Sequence, residues 1–229
     1  MRVGIICAGD REAAPFFPLV DNCEISEKAM LKFYSGKISN VEVVVLFSGV
    51  CKVNAAIATQ ILIDTYHADM IINSGTAGGI DSQLNIFDTV ISTEVVYHDV
   101  APHILTEFHP WLESVFFKAD QRLLDLARKT VAKMGTEKKI YFGCMATGEA
   151  FIADEGRKKI VECFAPMTVD MESASIAHVC YVNEIPFISI RCITDDAKHS
   201  GTGFFEINCD RASEIAKEIT VALLAELQN

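Results

Sequence analysis

The sequence predicts a single-domain α/β protein with three layers, in which helices cover both faces of a central sheet. Short apolar runs, many of them β-branched, alternate along the chain with longer segments that carry apolar residues at helical spacing. This alternation is typical of β-α-β units, whose parallel strands lie buried between two layers of helices. No repeat, low-complexity stretch or linker interrupts the pattern. We therefore expect one domain over residues 1–229.

Seven apolar runs are predicted to be strands, because each is short and is followed by small or polar residues. They are Val3–Cys7, Glu42–Phe47, Met70–Ile72, Thr89–Tyr97, Ile140–Thr147, Met167–Met171 and Phe187–Thr194. Glycine is the commonest residue of tight turns, so the segment Asn73–Gly79 is predicted to be a glycine-rich turn.

Six longer segments are predicted to be helices from the spacing of their apolar residues. They are Arg11–Leu19, Lys52–Tyr66, Leu123–Met134, Glu155–Phe164, Ser173–Val182 and Cys209–Leu227. The stretch Val100–Phe117 is the least regular part of the chain and holds its only tryptophan, Trp111.

Composition excludes several classes of function. The chain is 50% hydrophobic and 22% charged, as expected of a globular protein with a sizeable core. Its formal net charge of −11 argues against binding to nucleic acid or to an anionic membrane surface. The eight cysteines form no C-x-x-C pair and are predicted to be reduced thiols. No apolar stretch is long enough to span a bilayer, so we expect a cytoplasmic protein.

Polar residues follow the predicted strands, and three acids stand out among them. In open α/β sheets, ligands bind at the carboxyl ends of the strands. Glu12, Glu172 and Asp195 each lie just beyond such an end. Taken singly, each acid has a structural alternative as a helix cap or a partner of the helix dipole. Together, the strand ends predict a lined cleft, and the scattered His, Cys and acidic residues show no metal-ligand spacing.

The same strand ends carry a resemblance to a known family. The segments concerned are Val3–Ile6 with Glu12, Ile71–Gly79, Thr147–Ile152, Val169–Ala174, Ile176–Cys180, Val182–Phe187 and Arg191–Asp195. In their order and spacing they resemble the nucleoside phosphorylase/nucleosidase superfamily, and most closely its methylthioadenosine/S-adenosylhomocysteine nucleosidase family. The resemblance implies a nucleoside phosphorylase-like fold with a mixed central sheet, a small-molecule nucleoside substrate and no cofactor. It also implies a homodimer, with Trp111 and Phe116–Phe117 at the interface or in the core.

The resemblance implies hydrolysis of the N-glycosidic bond of adenine nucleosides. Glu12 is expected to activate water, Asp195 to protonate the leaving purine, and Glu172 to accept hydrogen bonds from the ribose hydroxyls. The expected substrate-binding residues are Thr76, Ala77, Gly78, Phe151, Ile152, Asp170, Met171, Glu172 and Thr194. Ordinary core packing is the alternative for Phe151, Ile152 and Met171.

Three other functions stay open at this point. A phosphorylase needs fixed positive charge for its phosphate, whereas Asn73–Thr76 is neutral and Glu12 would repel an anion. Water is therefore the favoured nucleophile, although Arg191 lies on a candidate cleft strand. The sequence after Tyr97–Asp99 departs from the family pattern, which leaves room for another adenosine-type substrate such as aminodeoxyfutalosine. A nucleoside-binding protein without catalysis is the third alternative.

Overall fold

A computed structural model describes residues 1–109, 111–135, 139–196 and 198–228, and in these residues it has ten strands and seven helices. The strands are β1 (Arg2–Cys7), β2 (Asp21–Lys28), β3 (Leu31–Ile38), β4 (Val41–Phe47), β5 (Met70–Gly79), β6 (Thr89–Tyr97), β7 (Phe116–Lys118), β8 (Ile140–Thr147), β9 (Thr168–Asp170) and β10 (Phe187–Asp195). The helices are α1 (Asp10–Ala13), α2 (Lys52–Asp64), α3 (Pro102–Glu107), α4 (Gln121–Lys133), α5 (Asp154–Phe164), α6 (Ser173–Val182) and α7 (Thr202–Glu226).

The strands form one mixed sheet that closes on itself at one end. Pairing runs from β2 through β3, β4 and β1 to β5. Strand β5 then pairs with both β9 and β10, while β10 continues through β6 and β8 back to β9, so these five strands form a closed ring. Parallel pairs such as β1–β4 occur beside antiparallel pairs such as β5–β9. The predicted mixed central sheet is confirmed.

Helices cover both faces of the sheet, which confirms the three-layer α-β-α architecture. Helices α2 and α6 pack together on one face, where Leu62 and Ile176 are fully buried. Helices α1, α4 and α7 cover the other face, where Leu124 and Leu223 join the core. Each face buries aliphatic side chains against continuous apolar strands, and this burial is the main favourable term in folding.

The predicted turn at Asn73–Gly79 is wrong, because β5 continues as a strand through Gly79. Residues Gly75–Gly78 pair with Arg191–Asp195 of β10, and Gly78–Gly79 pair with β9 on the other side. Each of these residues is thus paired with at least one neighbouring strand, and the glycines serve close packing rather than a change of chain direction.

The first predicted helix, Arg11–Leu19, is also wrong. Helix α1 ends at Ala13, and a separate 3₁₀ turn spans Phe17–Leu19. Pro15 and Pro18 lack the backbone N–H groups that a continuous helix needs, which explains the break.

Three further elements differ from the sequence prediction. The hairpin β2–β3 was not predicted, because every residue of β2 is exposed and shows no alternation. The irregular stretch Val100–Phe117 contains α3 and most of β7, and its Pro110 lies outside the described residues. The last helix begins at Thr202 rather than Cys209.

Within the described part of the chain, no helix is both long and apolar enough to cross a membrane. All eight cysteines are free thiols; four of them are buried, namely Cys7, Cys180, Cys192 and Cys209.

Candidate active site

A cavity of about 440 Å³ opens where the carboxyl ends of β1, β5, β9 and β10 meet. This volume lies in the range typical of small-molecule sites. All eleven residues predicted from the sequence line it: Glu12, Thr76, Ala77, Gly78, Phe151, Ile152, Asp170, Met171, Glu172, Thr194 and Asp195. Segments spread over most of the chain thus converge on one pocket.

Glu12 is buried and fixed by four hydrogen bonds. Its Oε2 accepts from the backbone N–H groups of Ala8 at 2.7 Å and Gly9 at 3.2 Å. Its Oε1 accepts from both the backbone N–H and the hydroxyl of Thr76, each at 2.7 Å. The donors come from the end of β1 and from β5, so the carboxylate is held rigidly between two neighbouring strands.

Two glycines of β5 make room for the acids. A Cβ atom at Gly75 would lie 2.5–2.7 Å from the carboxyl atoms of Glu12, closer than Cβ atoms approach non-bonded atoms in proteins. A Cβ atom at Gly78 would lie 3.2 Å from Oδ2 of Asp195. The glycines therefore let two carboxyl groups rest directly on the strand.

Glu172 lies at the start of α6 and is almost fully buried. Its Oε1 accepts from the backbone N–H of Cys51 at 3.0 Å, and its Oε2 lies 3.2 Å from Nη2 of Arg191. Cys51 has a φ of +83°, an unfavourable conformation for a residue with a side chain, at the position that supplies this N–H group. Burial raises the pKa of Glu172 to about 7, against the lowering effect of Arg191 and with further raising by Asp170 and Glu12.

Arg191 is fully buried and contacts three carboxylates. Its guanidinium lies 3.8 Å from Oε1 of Glu12, 3.4 Å from Oδ2 of Asp170 and 3.2 Å from Oε2 of Glu172. A buried cation needs such partners, because an unpaired charge away from water is very costly. The charge of Arg191 is therefore balanced by the acids around it, while Nη1 also donates to the Thr76 carbonyl at 3.2 Å.

Asp170 lines the cavity, but its carboxylate is engaged within the protein. Oδ1 accepts from the hydroxyl of Thr147 at 2.6 Å and from the backbone N–H groups of Glu172 and Ser173. Oδ2 accepts from the hydroxyl of Ser173 and faces Arg191. These bonds fix the turn between β9 and α6, which places Glu172.

Asp195 is the last residue of β10 and is 1% exposed. Its Oδ1 accepts from the hydroxyl of Thr194 at 3.0 Å, and its Oδ2 lies 3.6 Å from Nη2 of Arg157. Burial raises its pKa above the ordinary aspartate value, although the Thr194 hydrogen bond and the charge of Arg157 oppose the shift and Asp196 adds to it. This shift is in the direction that a proton donor requires.

The apolar wall of the cavity is formed by Phe151, Ile152 and Met171. Phe151 is 40% exposed, so its ring is not part of the core. An exposed ring at the mouth of a pocket is a suitable surface for a flat aromatic ligand.

Sequence reasoning missed a second group of lining residues, which come from the β1–α1 connection and the start of α1, the β4–α2 loop, the segment after β8, strand β9 and the first turns of α7. They are Ala8, Gly9, Asp10, Arg11, Val50, Ala150, Val169, Thr202, Phe205, Glu206 and Cys209. The α7 residues were missed because that helix was predicted to begin at Cys209. Among the described residues, no group of three or more His, Cys, Asp or Glu is arranged to hold a metal ion.

The fold and the pocket define a broad class of protein. Residues 2–225 match the phosphorylase superfamily. The 5′-methylthioadenosine/S-adenosylhomocysteine nucleosidase of Staphylococcus carnosus is 35% identical, over 98% of this chain and 100% of that protein. The nucleosidase of the same name from Shewanella sediminis is 37% identical over 99% and 100%. The chain belongs to the 5′-methylthioadenosine/S-adenosylhomocysteine nucleosidase family of this superfamily, which confirms the resemblance seen in the sequence.

Solved structures agree with this assignment. The nucleosidase of Colwellia psychrerythraea, solved in complex with adenine, matches with a TM-score of 0.91 and 32% identity, over 99% of this chain and 96% of that one. A futalosine hydrolase of Helicobacter pylori matches with a TM-score of 0.89 at 24% identity, and this likeness concerns the fold alone.

Glu172 should make the stability of the protein depend on pH. Because its pKa in the folded state is about 7, above the value of about 4.3 expected in an unfolded chain, the folded state binds its proton more tightly. The stability that this proton gives is complete below pH 4 and is lost as the pH rises to 7. The free energy of unfolding in urea, measured from pH 4 to 8, should therefore decline less in Glu172→Gln than in the wild-type protein. Glu24→Gln, at an exposed position, is the matched control, and identical pH profiles for all three proteins would contradict the assignment.

Proposed function

We propose that this protein is an enzyme that hydrolyses the N-glycosidic bond of 5′-methylthioadenosine and S-adenosylhomocysteine, releasing adenine and the corresponding thioribose. The observation that carries the proposal is the placement of Glu12, Glu172 and Asp195 around one cavity, each held by different partners. Membership of the nucleosidase family supports it.

Glu12 is assigned to the attacking water. Four donors hold its carboxylate in one orientation at the cavity, and they occupy its roughly four acceptor sites, so an attacking water molecule must share an oxygen with one of them or displace it. As the water oxygen bonds to the anomeric carbon of the ribose, its proton passes to Glu12. A positioned general base of this kind typically supplies about 10²–10⁴-fold in rate.

Asp195 is assigned to the leaving base. As the bond between the anomeric carbon and the purine nitrogen breaks, electron density moves into the purine ring. Asp195 gives its proton to a ring nitrogen, so adenine leaves as a neutral molecule. Its burial supports this role because burial disfavours the carboxylate.

Glu172 is assigned to the ribose. Its carboxyl group accepts hydrogen bonds from the sugar hydroxyls and adds negative charge beside the cation that develops on the ring. The contacts with Arg191 and with the Cys51 N–H hold it in place before the substrate arrives. A group that needs no reorganisation during the reaction lowers the barrier more than a mobile one.

Water rather than phosphate is the nucleophile that this pocket favours. Arg11 is the only cation among the described residues that line the cavity, and it already binds Glu206 and Asp210. The N–H and hydroxyl of Thr76, which are suitable donors for an anion, both serve Glu12. A phosphate dianion would meet carboxylates without a free positive partner.

The apolar surfaces suit the two ends of the substrate. Phe151 is assigned to stack on the purine, Ile152 to offer backbone groups to its edge, and Met171 to pack under the ribose. Ala77, Gly78 and Thr194 complete the surface near Asp195. The 5′ substituent is assigned to the part of the cavity lined by the first turns of α7. There Phe205 and Cys209 give an apolar environment for a thioether.

We further propose a cytoplasmic homodimer that acts in methionine salvage. Helices α2 and α6 pack side by side and expose Val53, Ile57, Tyr181 and Val182, an apolar face suited to a second copy of the chain. Trp111 is exposed and available for an interface, whereas Phe117 belongs to the core. Eight free thiols fit a reducing compartment.

Glu12→Gln and Asp195→Asn should each lower adenine release by about 10²–10⁴-fold, because each removes one proton transfer. The measurement is free base released from methylthioadenosine, adenosylhomocysteine, aminodeoxyfutalosine, adenosine and inosine, with and without phosphate. Adenine binding by calorimetry should survive in Glu12→Gln, which shows that the pocket is intact. Exposed Glu24→Gln is the control and should keep wild-type activity.

Two results would contradict the proposal. Full activity in either variant would remove the role given to that acid. Base release that depends on phosphate and yields a sugar phosphate would make the protein a phosphorylase.

Gly9→Met should change the preference for the 5′ substituent. Gly9 lines the cavity, and a Cβ atom there meets nothing within 4 Å, so a longer side chain would enter the open space. We expect kcat/KM for adenosylhomocysteine to fall about tenfold more than kcat/KM for methylthioadenosine, because the larger tail loses its room. Competition assays with both substrates measure this ratio, and an equal fall for both would place the tail elsewhere.

A further inference from the structure

Arg157 is a buried cation that has no role in the proposed reaction. It lies on α5 and is 8% exposed. Its Nη1 donates to the backbone carbonyl of Gly79 at 2.6 Å, which anchors it at the end of β5. Its Nε and Nη2 are buried and have no hydrogen-bond partner among the described residues. Unpaired buried donors are costly, so their retention calls for a reason.

The unpaired side of Arg157 faces the acid of the active site. Its Nη2 lies 3.6 Å from Oδ2 of Asp195, just beyond hydrogen-bond distance. A small movement of either side chain would close the gap. Oδ1 of Asp195 points elsewhere, toward the hydroxyl of Thr194 at 3.0 Å. The two oxygens of this carboxyl group therefore meet different neighbours.

In the part of the chain that the structure describes, the other charged group that acts on Asp195 is an acid that is already engaged. Asp196, next along the chain, accepts from the backbone N–H groups of Lys198 and His199 and pairs with the His199 ring at 3.1 Å. Strand β5 contributes Gly78 to the surroundings of Asp195, without a charge. Among the described residues, Arg157 is the cation that faces this carboxyl group.

We propose that Arg157 is a positioning residue that holds Oδ2 of Asp195 as a hydrogen-bond acceptor and thereby confines the proton of the acid to Oδ1. A guanidinium has five donors and no acceptor, so an oxygen that faces it cannot carry a proton toward it. Oδ1 is left as the oxygen that delivers the proton. The Thr194 hydroxyl can donate to Oδ1 while the acid is ionised, and to the Ala77 carbonyl, 3.4 Å away, when it is protonated. This role rests on the proposed function of Asp195 as the leaving-group acid.

The charge of Arg157 has a second consequence, on the pH range of the reaction. It lowers the pKa of Asp195 against the raising effect of burial. An opposite charge at this separation typically moves an aspartate pKa by about 1–3 units. Without Arg157, Asp195 would hold its proton more tightly, and an acid that must be protonated would stay active to higher pH.

The decisive test titrates Asp195 in the free protein, without substrate. Carboxyl-carbon NMR on aspartate-labelled protein follows each side chain, and Asp195→Asn identifies the resonance. Arg157→Met, which keeps the length and loses the charge, should raise the Asp195 midpoint by about 1 pH unit or more. Arg157→Lys keeps the charge and should stay within about half a unit of wild type. Lys158→Met removes an exposed charge from the next position of the same helix and should leave the midpoint unchanged.

Enzyme kinetics give a second readout that a purely structural role would not move. In the pH profile of kcat for adenine release, the alkaline limb should shift to higher pH in Arg157→Met and should return to its wild-type position in Arg157→Lys. The changes in KM should be smaller than those in kcat. If Arg157→Met does not fold, Arg157→Gln, which keeps a donor for the Gly79 carbonyl, serves in its place.

The outcomes separate this inference from the proposed function. An unchanged Asp195 midpoint in a folded, charge-free variant would overturn the inference. If the Asp195 midpoint shifts but the wild-type protein releases no base, the proposed function is overturned, and so is the delivery of a proton to a purine. The interaction of Arg157 with Asp195 would still be supported.

Discussion

The contact of Arg191 with three carboxylates is the interaction on which the rest of the site depends. Its guanidinium is 0% exposed and touches Glu12, Asp170 and Glu172, which come from α1, the end of β9 and the start of α6. Three acids so close together would repel one another in a buried space, and one cation makes their grouping tolerable. Because these contacts engage the positive charge of Arg191, the carboxylates keep the pocket electronegative. That electrostatic balance suits a reaction in which positive charge develops on a sugar ring.

The site also depends on the backbone geometry of β5. Glu12 and Asp195 approach β5 so closely that side chains at Gly75 and Gly78 would collide with or crowd them. Strand β5 lies inside the sheet: Gly78 is paired with β10 and with β9, whereas Gly75 is paired with β10 alone and Glu12 lies against it. Hydrogen bonds to its neighbouring strands fix the position of β5, and Glu12 and Asp195 are held in place because they pack against it. The small residues that would weaken an isolated strand here shape the surface against which the acids pack.

The sequence predicted the three layers, and it marked strand ends whose residues line one cavity, because both follow from patterns that a single chain reveals. Buried strands such as Phe187–Thr194 stand out as apolar runs, and their polar ends mark the site. The hairpin β2–β3 escaped prediction because its turn, Ala29-Met30, adopts positive φ without the usual glycine or asparagine. The segment Asn73–Gly79 was misjudged because its glycines serve tertiary packing. Arg157, followed by two lysines on an amphipathic helix, resembles an exposed charge until the fold places it beside Asp195.

The central claim of the proposal is that Glu12, one of the carboxylates held around Arg191, directs water to the anomeric carbon. The most direct measurement is turnover of methylthioadenosine in ¹⁸O-labelled water containing ordinary phosphate, with mass spectrometry of both products. The account predicts free adenine and a thioribose that carries one ¹⁸O atom at its anomeric hydroxyl. A sugar phosphate, or a thioribose without the label when it is analysed before exchange with solvent, would contradict it.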